Sequence, residues 1–199
     1  AALQGNSGSQ STLGALYATG RGVEKNDSEA VRWLSLASNQ GDGIAPKNLG
    51  AMYRSGRAVP QSDAEAVRYF RMSADRGRPE GQYELGWMYL NGRGTAQSEA
   101  EAFRYFKMAS DQGYALAQLY TGWMYDVGRG TPENDNEAVR YFRMSGEKGI
   151  AEAQFNLGLM YYHGRGVTAD KNEAVRLFQL AANGGFAKAR AALNEIGQK

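Results

Sequence analysis

The sequence predicts an all-α fold: a right-handed α-α superhelix, or solenoid, of antiparallel helix pairs in 36-residue repeats. Three observations predict it. A glycine recurs at Gly14, Gly50, Gly86, Gly122 and Gly158. Around it stand a tyrosine, at Tyr17, Tyr53, Tyr89, Tyr125 and Tyr161, and a second glycine, at Gly20, Gly56, Gly92, Gly128 and Gly164. Each unit also holds a short polar residue three places before a glutamate. Self-similarity at a fixed period marks stacked small units rather than one globular core.

The unit that starts at Gly149 shows the pattern most fully. A first helix is expected from Gly149 to Tyr162, ended by Gly164-Arg165-Gly166, because glycine reaches the left-handed conformation of a helix exit without steric cost. Leu157, Gly158 and Tyr161 share one face of it. Gly158 has no side chain there, so a partner helix can come close. The second helix starts at a capping-box pattern, seen at Asn26/Glu29, Ser62/Glu65, Ser98/Glu101, Asn134/Glu137 and Asp170/Glu173. In such a box the polar side chain accepts from a first-turn N–H and the glutamate reaches back. Ala66, Tyr69, Phe70 and Ser73 fall at helical spacing and form its expected buried stripe. Gly41, Gly77, Gly113, Gly149 and Gly185 serve as its exits. The short connection makes each pair antiparallel.

The expected organisation is one solenoid domain over residues 1–199, with repeats at about 5–40, 41–76, 77–112, 113–148 and 149–184. Residues 185–199 are expected to form a C-terminal capping helix, in which Asn194 replaces the framework glycine. Residues 1–4 resemble the tail of a second helix and read as the remnant of a preceding repeat.

Bulk properties narrow the function classes. The chain carries 23 basic and 21 acidic residues, a net charge of +2, with the two signs interspersed. That is no footprint for nucleic acid or a membrane surface. Cysteine is absent, which excludes disulfide scaffolds and thiolate metal sites. No apolar run approaches the roughly 20 residues of a membrane span.

Ala151 to Gly166 reads Ala-x-Ala-Gln-x-x-Leu-Gly-x-x-Tyr-x-x-Gly-x-Gly. This resembles the Sel-one-like repeat (SLR) family, and the likeness extends over nearly the whole chain. The 36-residue period and paired loop glycines separate it from the 34-residue tetratricopeptide repeat. Some copies depart from the pattern. Repeat one lacks both alanines, and repeat two has Pro46 for the glutamine and Ala58 for the second loop glycine. The resemblance implies a non-enzymatic interaction scaffold, like the adaptors the family supplies in endoplasmic-reticulum quality control, exopolysaccharide assembly and host–pathogen contact. It also implies a bacterial source, with a periplasmic or secreted location favoured over a cytoplasmic one. The chain departs from the disulfide-stapled secreted members, having no cysteine.

Specificity must come from positions that vary between copies. With about 100° per residue and Tyr161 at zero, Leu157 and Gly158 face the partner helix, while Glu152, Phe155, Leu159 and Tyr162 lie on the opposite side. In tetratricopeptide-like arrays that side lines the concave groove. Repeat three places Glu80, Tyr83, Trp87 and Leu90 there, and repeat four Leu116, Leu119, Trp123 and Asp126. Repeat one offers only small residues. The candidate partner-binding set is therefore Glu80, Tyr83, Trp87, Leu90, Leu119, Trp123, Asp126, Glu152, Phe155, Leu159 and Tyr162, with His163 at the rim. Exposed aromatic patches mark binding surfaces. The competing reading packs these side chains between neighbouring first helices, and a third makes the face a self-association surface.

Other recurring residues read as structural. The lone His163 has no cysteine or carboxylate cluster around it and makes no metal site. The methionines fall in register, at Met52, Met88, Met124 and Met160 and at Met72, Met108 and Met144, which suits gap-filling between units. Arg32, Arg68, Arg104, Arg140 and Arg176 each stand three residues after the capping glutamate, the spacing of an exposed helical ion pair. The loop arginines Arg21, Arg57, Arg93, Arg129 and Arg165 are expected to bond helix-terminal carbonyls. One histidine and no cysteine assemble no nucleophile–base set, so neither an enzyme nor a cofactor is expected. The expected partner is a protein or peptide segment, with a cell-wall or carbohydrate ligand stacked on the aromatics as the alternative.

Overall fold

The computed structural model describes residues 2–197. Ala1, at the expected N-terminal remnant, and Gln198 and Lys199, at the end of the expected cap, lie outside the described residues. Eleven α-helices follow a short 3-10 turn at Ala2–Gln4, and no strand occurs among the described residues. The helices are α1 (Ser7–Thr19), α2 (Asp27–Asn39), α3 (Ala45–Ser55), α4 (Asp63–Asp75), α5 (Pro79–Asn91), α6 (Glu99–Asp111), α7 (Ala115–Val127), α8 (Asp135–Glu147), α9 (Ala151–His163), α10 (Lys171–Asn183) and α11 (Ala187–Gly197). They divide into two units, Ala1–Tyr105 and Phe106–Lys199, with the division inside α6.

In the first unit, α1 and α2 pair antiparallel. Tyr17 meets Asn26 at the loop end, a Cβ at Gly14 would meet Leu34 midway, and Gln10 bonds Gln40 at the far end. The framework glycines are what let the helices approach. A Cβ at Gly50 would lie 2.6 Å from the Phe70 ring, and one at Gly158 in the second unit 2.7 Å from Phe178. First helices end on glycines in the left-handed region, such as Gly56 at φ 68° and Gly164 at φ 68°.

The second helices start where expected, but by half of the expected device. Asn26, Ser62, Ser98, Asn134 and Asp170 each accept from the N–H three residues on. Their own N–H groups go to the carbonyls of Tyr17, Tyr53, Tyr89, Tyr125 and Tyr161, not to the glutamate. The framework tyrosine thus closes the loop back onto the first helix. The glutamates are left to pair with the arginine three residues later, at Arg32, Arg68, Arg104, Arg140 and Arg176.

Small local cores replace a single large one. Ala66, Phe70, Leu85 and Met88 are buried together in the first unit, and Val139, Phe142, Leu157 and Met160 in the second. The first-helix methionines fill these cores as expected. Met72 and Met144 are only half-buried and Met108 is exposed, because their positions on the second helix lie outside the buried stripe.

Neighbouring repeats are tied by polar contacts. Ser73 Oγ donates to the Gly43 carbonyl at 2.9 Å in the first unit, and Ser145 Oγ to that of Ala115 at 2.8 Å in the second. Loop arginines reach back to the acid at the start of the preceding repeat's second helix. Arg57 holds Asp27, Arg93 grips Asp63 with two bonds of 2.9 and 2.8 Å, and Arg165 bonds Asp135 at 2.6 Å. Arg57 and Arg165 also donate to the carbonyls of Ala18 and Asp126, the helix-terminal contact read from the sequence.

Candidate functional site

In the first unit, α5 carries Glu80, Tyr83, Trp87 and Leu90 at successive turns. Leu90 is 8% exposed and belongs to the interior. Trp87 is half-buried against the core that holds Leu85 and Met88. Its ring lies between two guanidiniums, with the Cζ atoms of Arg54 and Arg93 at 5.9 and 5.6 Å from the ring. Both arginines are themselves fixed, Arg54 by Glu84 and Arg93 by Asp63. The indole thus rests on the core beside two anchored cations, with part of its surface accessible. Glu80 is half-buried and lies 3.9 Å from Arg78, while Tyr83 is half-buried on the same face.

The second unit holds the remaining candidates. Leu119, at 5% exposure, packs with Ala153 and Leu157, and Trp123 lies half-buried against the same cluster. Leu90 and Leu119 are thus corrections to the predicted surface set. A helical wheel counts only the partner helix, whereas α9 of the neighbouring repeat covers Leu119 as well. Arg129 stands 5.2 Å from the Trp123 ring, repeating the arrangement at Trp87. Asp126 pairs with Arg165 at 2.8 Å, and burial raises its carboxyl above the usual aspartate range despite that cation.

Phe155 packs between Phe178 and Phe186, with centroid distances of 5.3 and 5.1 Å, and is half-buried. Leu159, Tyr162 and His163 line one cavity of about 260 Å³ with Phe178, Ala192, Glu195 and Ile196. The Tyr162 and His163 rings meet edge to face at 5.1 Å. His163 and Glu152 are exposed.

Two features escaped the reading of the sequence. One guanidinium over each of Trp87 and Trp123 belongs to a loop arginine standing six residues after the tryptophan, a spacing visible in both repeats. The anchoring of Arg54 by Glu84 joins neighbouring first helices. No group of three or more His, Cys, Asp or Glu among the described residues is placed to hold a metal ion, and no helix among them is long and apolar enough to cross a membrane.

The Sel1 repeat pattern matches residues 8–42, 47–77, 79–114, 115–150 and 151–186. A protective antigen of uropathogenic Escherichia coli strains that displays an SLR fold is 34% identical, with a TM-score of 0.91 over 98% of this chain. The present chain spans 42% of that antigen's length. A Sel1 repeat protein from Oxalobacter formigenes is 33% identical, with a TM-score of 0.88, covering 97% of this chain and 77% of its own. An immunity protein from Pseudomonas aeruginosa shares the fold at 24% identity and a TM-score of 0.60, over 92% of this chain and 70% of its own. No curated protein matches the chain.

Proposed function

Because the chain belongs to the Sel1 repeat family, whose members generally act as protein–protein interaction scaffolds, we propose that it is a non-enzymatic adaptor. It binds a protein or peptide segment along the first-helix face expected to line the concave groove. One observation carries this reading. Trp87 and Trp123 are each half-buried on the core with arginine over the ring, and the two arginines at Trp87 are anchored by Glu84 and Asp63. Rings held in place lose little conformational freedom on binding, and tryptophan and arginine dominate interface hot spots. Desolvating the guanidinium over the ring strengthens the cation–π contact further.

The test compares wild type with the Trp87→Ala/Trp123→Ala double variant and with Trp87→Phe/Trp123→Phe. Partner capture and thermal unfolding are measured on all three. The alanine pair is expected to abolish capture, and the phenylalanine pair to keep the fold and weaken capture. Full capture by the alanine pair with a lowered Tm would assign the tryptophans to packing alone. Titrating glycan fragments against tryptophan fluorescence tests the carbohydrate alternative, which an unchanged signal removes.

A further inference from the structure

The second-helix position sixteen residues after the framework tyrosine is aromatic in four repeats, as Trp33, Tyr69, Tyr105 and Tyr141, and leucine in the fifth, as Leu177. In repeats two to four the two rings stack. Tyr53 and Tyr69 lie 5.3 Å apart at 17°, Tyr89 and Tyr105 5.8 Å at 7°, and Tyr125 and Tyr141 5.9 Å at 14°. The neighbouring arginine covers the outer ring each time, with Arg68, Arg104 and Arg140 at 4.2, 4.1 and 4.6 Å. Arg140 also donates to the Tyr141 hydroxyl at 2.9 Å. Each phenol is thus sandwiched between a tyrosine and a guanidinium.

Repeat five keeps both sides of the sandwich and lacks the filling. Tyr161 is present, and Arg176 is fixed by Glu173 at 2.6 Å, yet the residue between them is Leu177. A cavity of about 370 Å³ opens there, lined by Tyr161, Leu177, Arg176, Arg143 and Gly146 among others. Gly146 stands where the other second helices hold Ser38, Ala74, Ser110 and Ala182, and a Cβ there would meet the Gln154 side chain at 3.2 Å, so the glycine lets α9 pack close at the cavity's edge. Arg143 donates to the Tyr161 hydroxyl at 3.0 Å and so sets the plane of that ring.

We propose that this cavity between α8, α9 and α10 is a binding site for a phenolic ring, presented as a tyrosine side chain of a partner peptide. The chain itself shows what fills this space three times over. Charge supports a neutral ring over an anion: Glu147 and Glu173 line the cavity alongside Arg143 and Arg176, so its cations are balanced. The ring would stack on Tyr161 under Arg176 as Tyr141 does on Tyr125 under Arg140. The site does not involve the first-helix tryptophans, so it stands or falls separately from the adaptor face.

The experiment titrates N-acetyl-tyrosinamide against the isotope-labelled chain and follows amide shifts of α8, α9 and α10 by NMR. Saturable binding with a Kd of about a millimolar is expected, as suits a fragment of this size. N-acetyl-cyclohexylalaninamide, which has bulk but no π-face, should bind at least about fivefold more weakly. Leu177→Tyr fills the cavity and should weaken tyrosinamide binding more than tenfold while raising Tm. Leu177→Phe is the second filling variant, should Leu177→Tyr misfold. Arg176→Gln leaves the cavity open and should weaken binding severalfold. No saturable binding to wild type, or equal binding to a folded Leu177→Tyr or Leu177→Phe chain, overturns the proposal. So does equal binding of the cyclohexyl compound.

Discussion

Repeat two and repeat five are built on the same frame, and they differ where the frame meets its neighbours. In repeat two, Tyr69 stacks on Tyr53 beneath Arg68, and in repeat five Leu177 leaves Tyr161 and Arg176 with a cavity between them. The second helix begins with Asp27 in repeat one, Asp63 in repeat two and Asp135 in repeat four, each gripped by a loop arginine. In repeat five the same place is Lys171. The loop differs in the other direction: repeat five has Gly166 at φ 64°, and repeat two forces Ala58 to φ 56°. A repeat protein carries its own controls. A residue present in every copy is explained by the frame, and a departure exposes what the frame residue was doing.

The largest effect expected from breaking this comparison is at the loop. A Cβ at Gly166 would lie 2.4 Å from the carbonyl oxygen of Asp135, in a left-handed backbone conformation. Backbone cannot yield as a flexible side chain does. Gly166→Ala should therefore cost about 3 kcal/mol from strain and displacement together. In a chain of this length that lowers Tm by about 6–12 °C, measurable by thermal unfolding followed by circular dichroism. A loss below about 1 kcal/mol would mean that the loop moves freely away from α8.

Next in size is Tyr69→Leu, which makes repeat two resemble repeat five. It removes the stack on Tyr53 and the ring under Arg68. The expected cost is about 1–2 kcal/mol, since Tyr69 is only half-buried. Burial holds the Tyr53 hydroxyl above the usual tyrosine range, with Tyr69 adding to the effect. Ultraviolet titration should show one tyrosine ionising at lower pH in the variant. The reverse change, Ala58→Gly, should stabilise repeat two by about 1 kcal/mol, since it relieves the positive φ. Chemical denaturation that shows no gain would indicate that Ala58 sits there without strain.

The frame was legible in the sequence because backbone requirements are local. Left-handed exits need glycine, caps need short polar side chains, and a close helix crossing needs Gly14 or Gly50, so spacing alone located them. What the spacing could not settle depends on a second partner. The glutamates of the capping pattern pair with arginines because the tyrosine carbonyl nine residues back already takes the cap N–H, and no local pattern records that bond. Trp87 and Trp123 looked exposed on a helical wheel that contains one neighbouring helix. They are half-buried because the core beneath and the loop arginine above also touch them. Leu90 and Leu119 went further and joined the interior, Leu119 against Ala153 and Leu157 of the next repeat. The cavity of repeat five was visible as Leu177 in an aromatic column. It acquired meaning only when the other repeats showed what that column does.

The smallest effect concerns the arginine tie, and it separates two contributions at the same helix start. Asp27 feels both the Arg57 guanidinium and the positive end of α2. The Arg57 hydrogen bonds hold its carboxyl below the usual aspartate value of 3.8. A depressed pKa means stabilisation that is complete above 3.8 and lost as pH falls through the lower folded value. The pair is solvent-accessible, so Asp27→Asn should cost only about 0.2–1 kcal/mol at pH 7. The difference from wild type should vanish at a pH low enough to protonate Asp27 in the folded chain. Arg57→Gln removes the cation and its bond to the Ala18 carbonyl but leaves the helix end, so in that variant a further Asp27→Asn change should cost only what the helix end supplies. Lys171→Asp in repeat five is the converse case, placing an acid at the start of α10. Its gain should be a few tenths of a kcal/mol, about what a helix terminus alone supplies. If Arg57→Gln left stability unchanged while Asp27→Asn lowered it, the helix end would account for the whole effect and the arginine would only set the spacing between repeats.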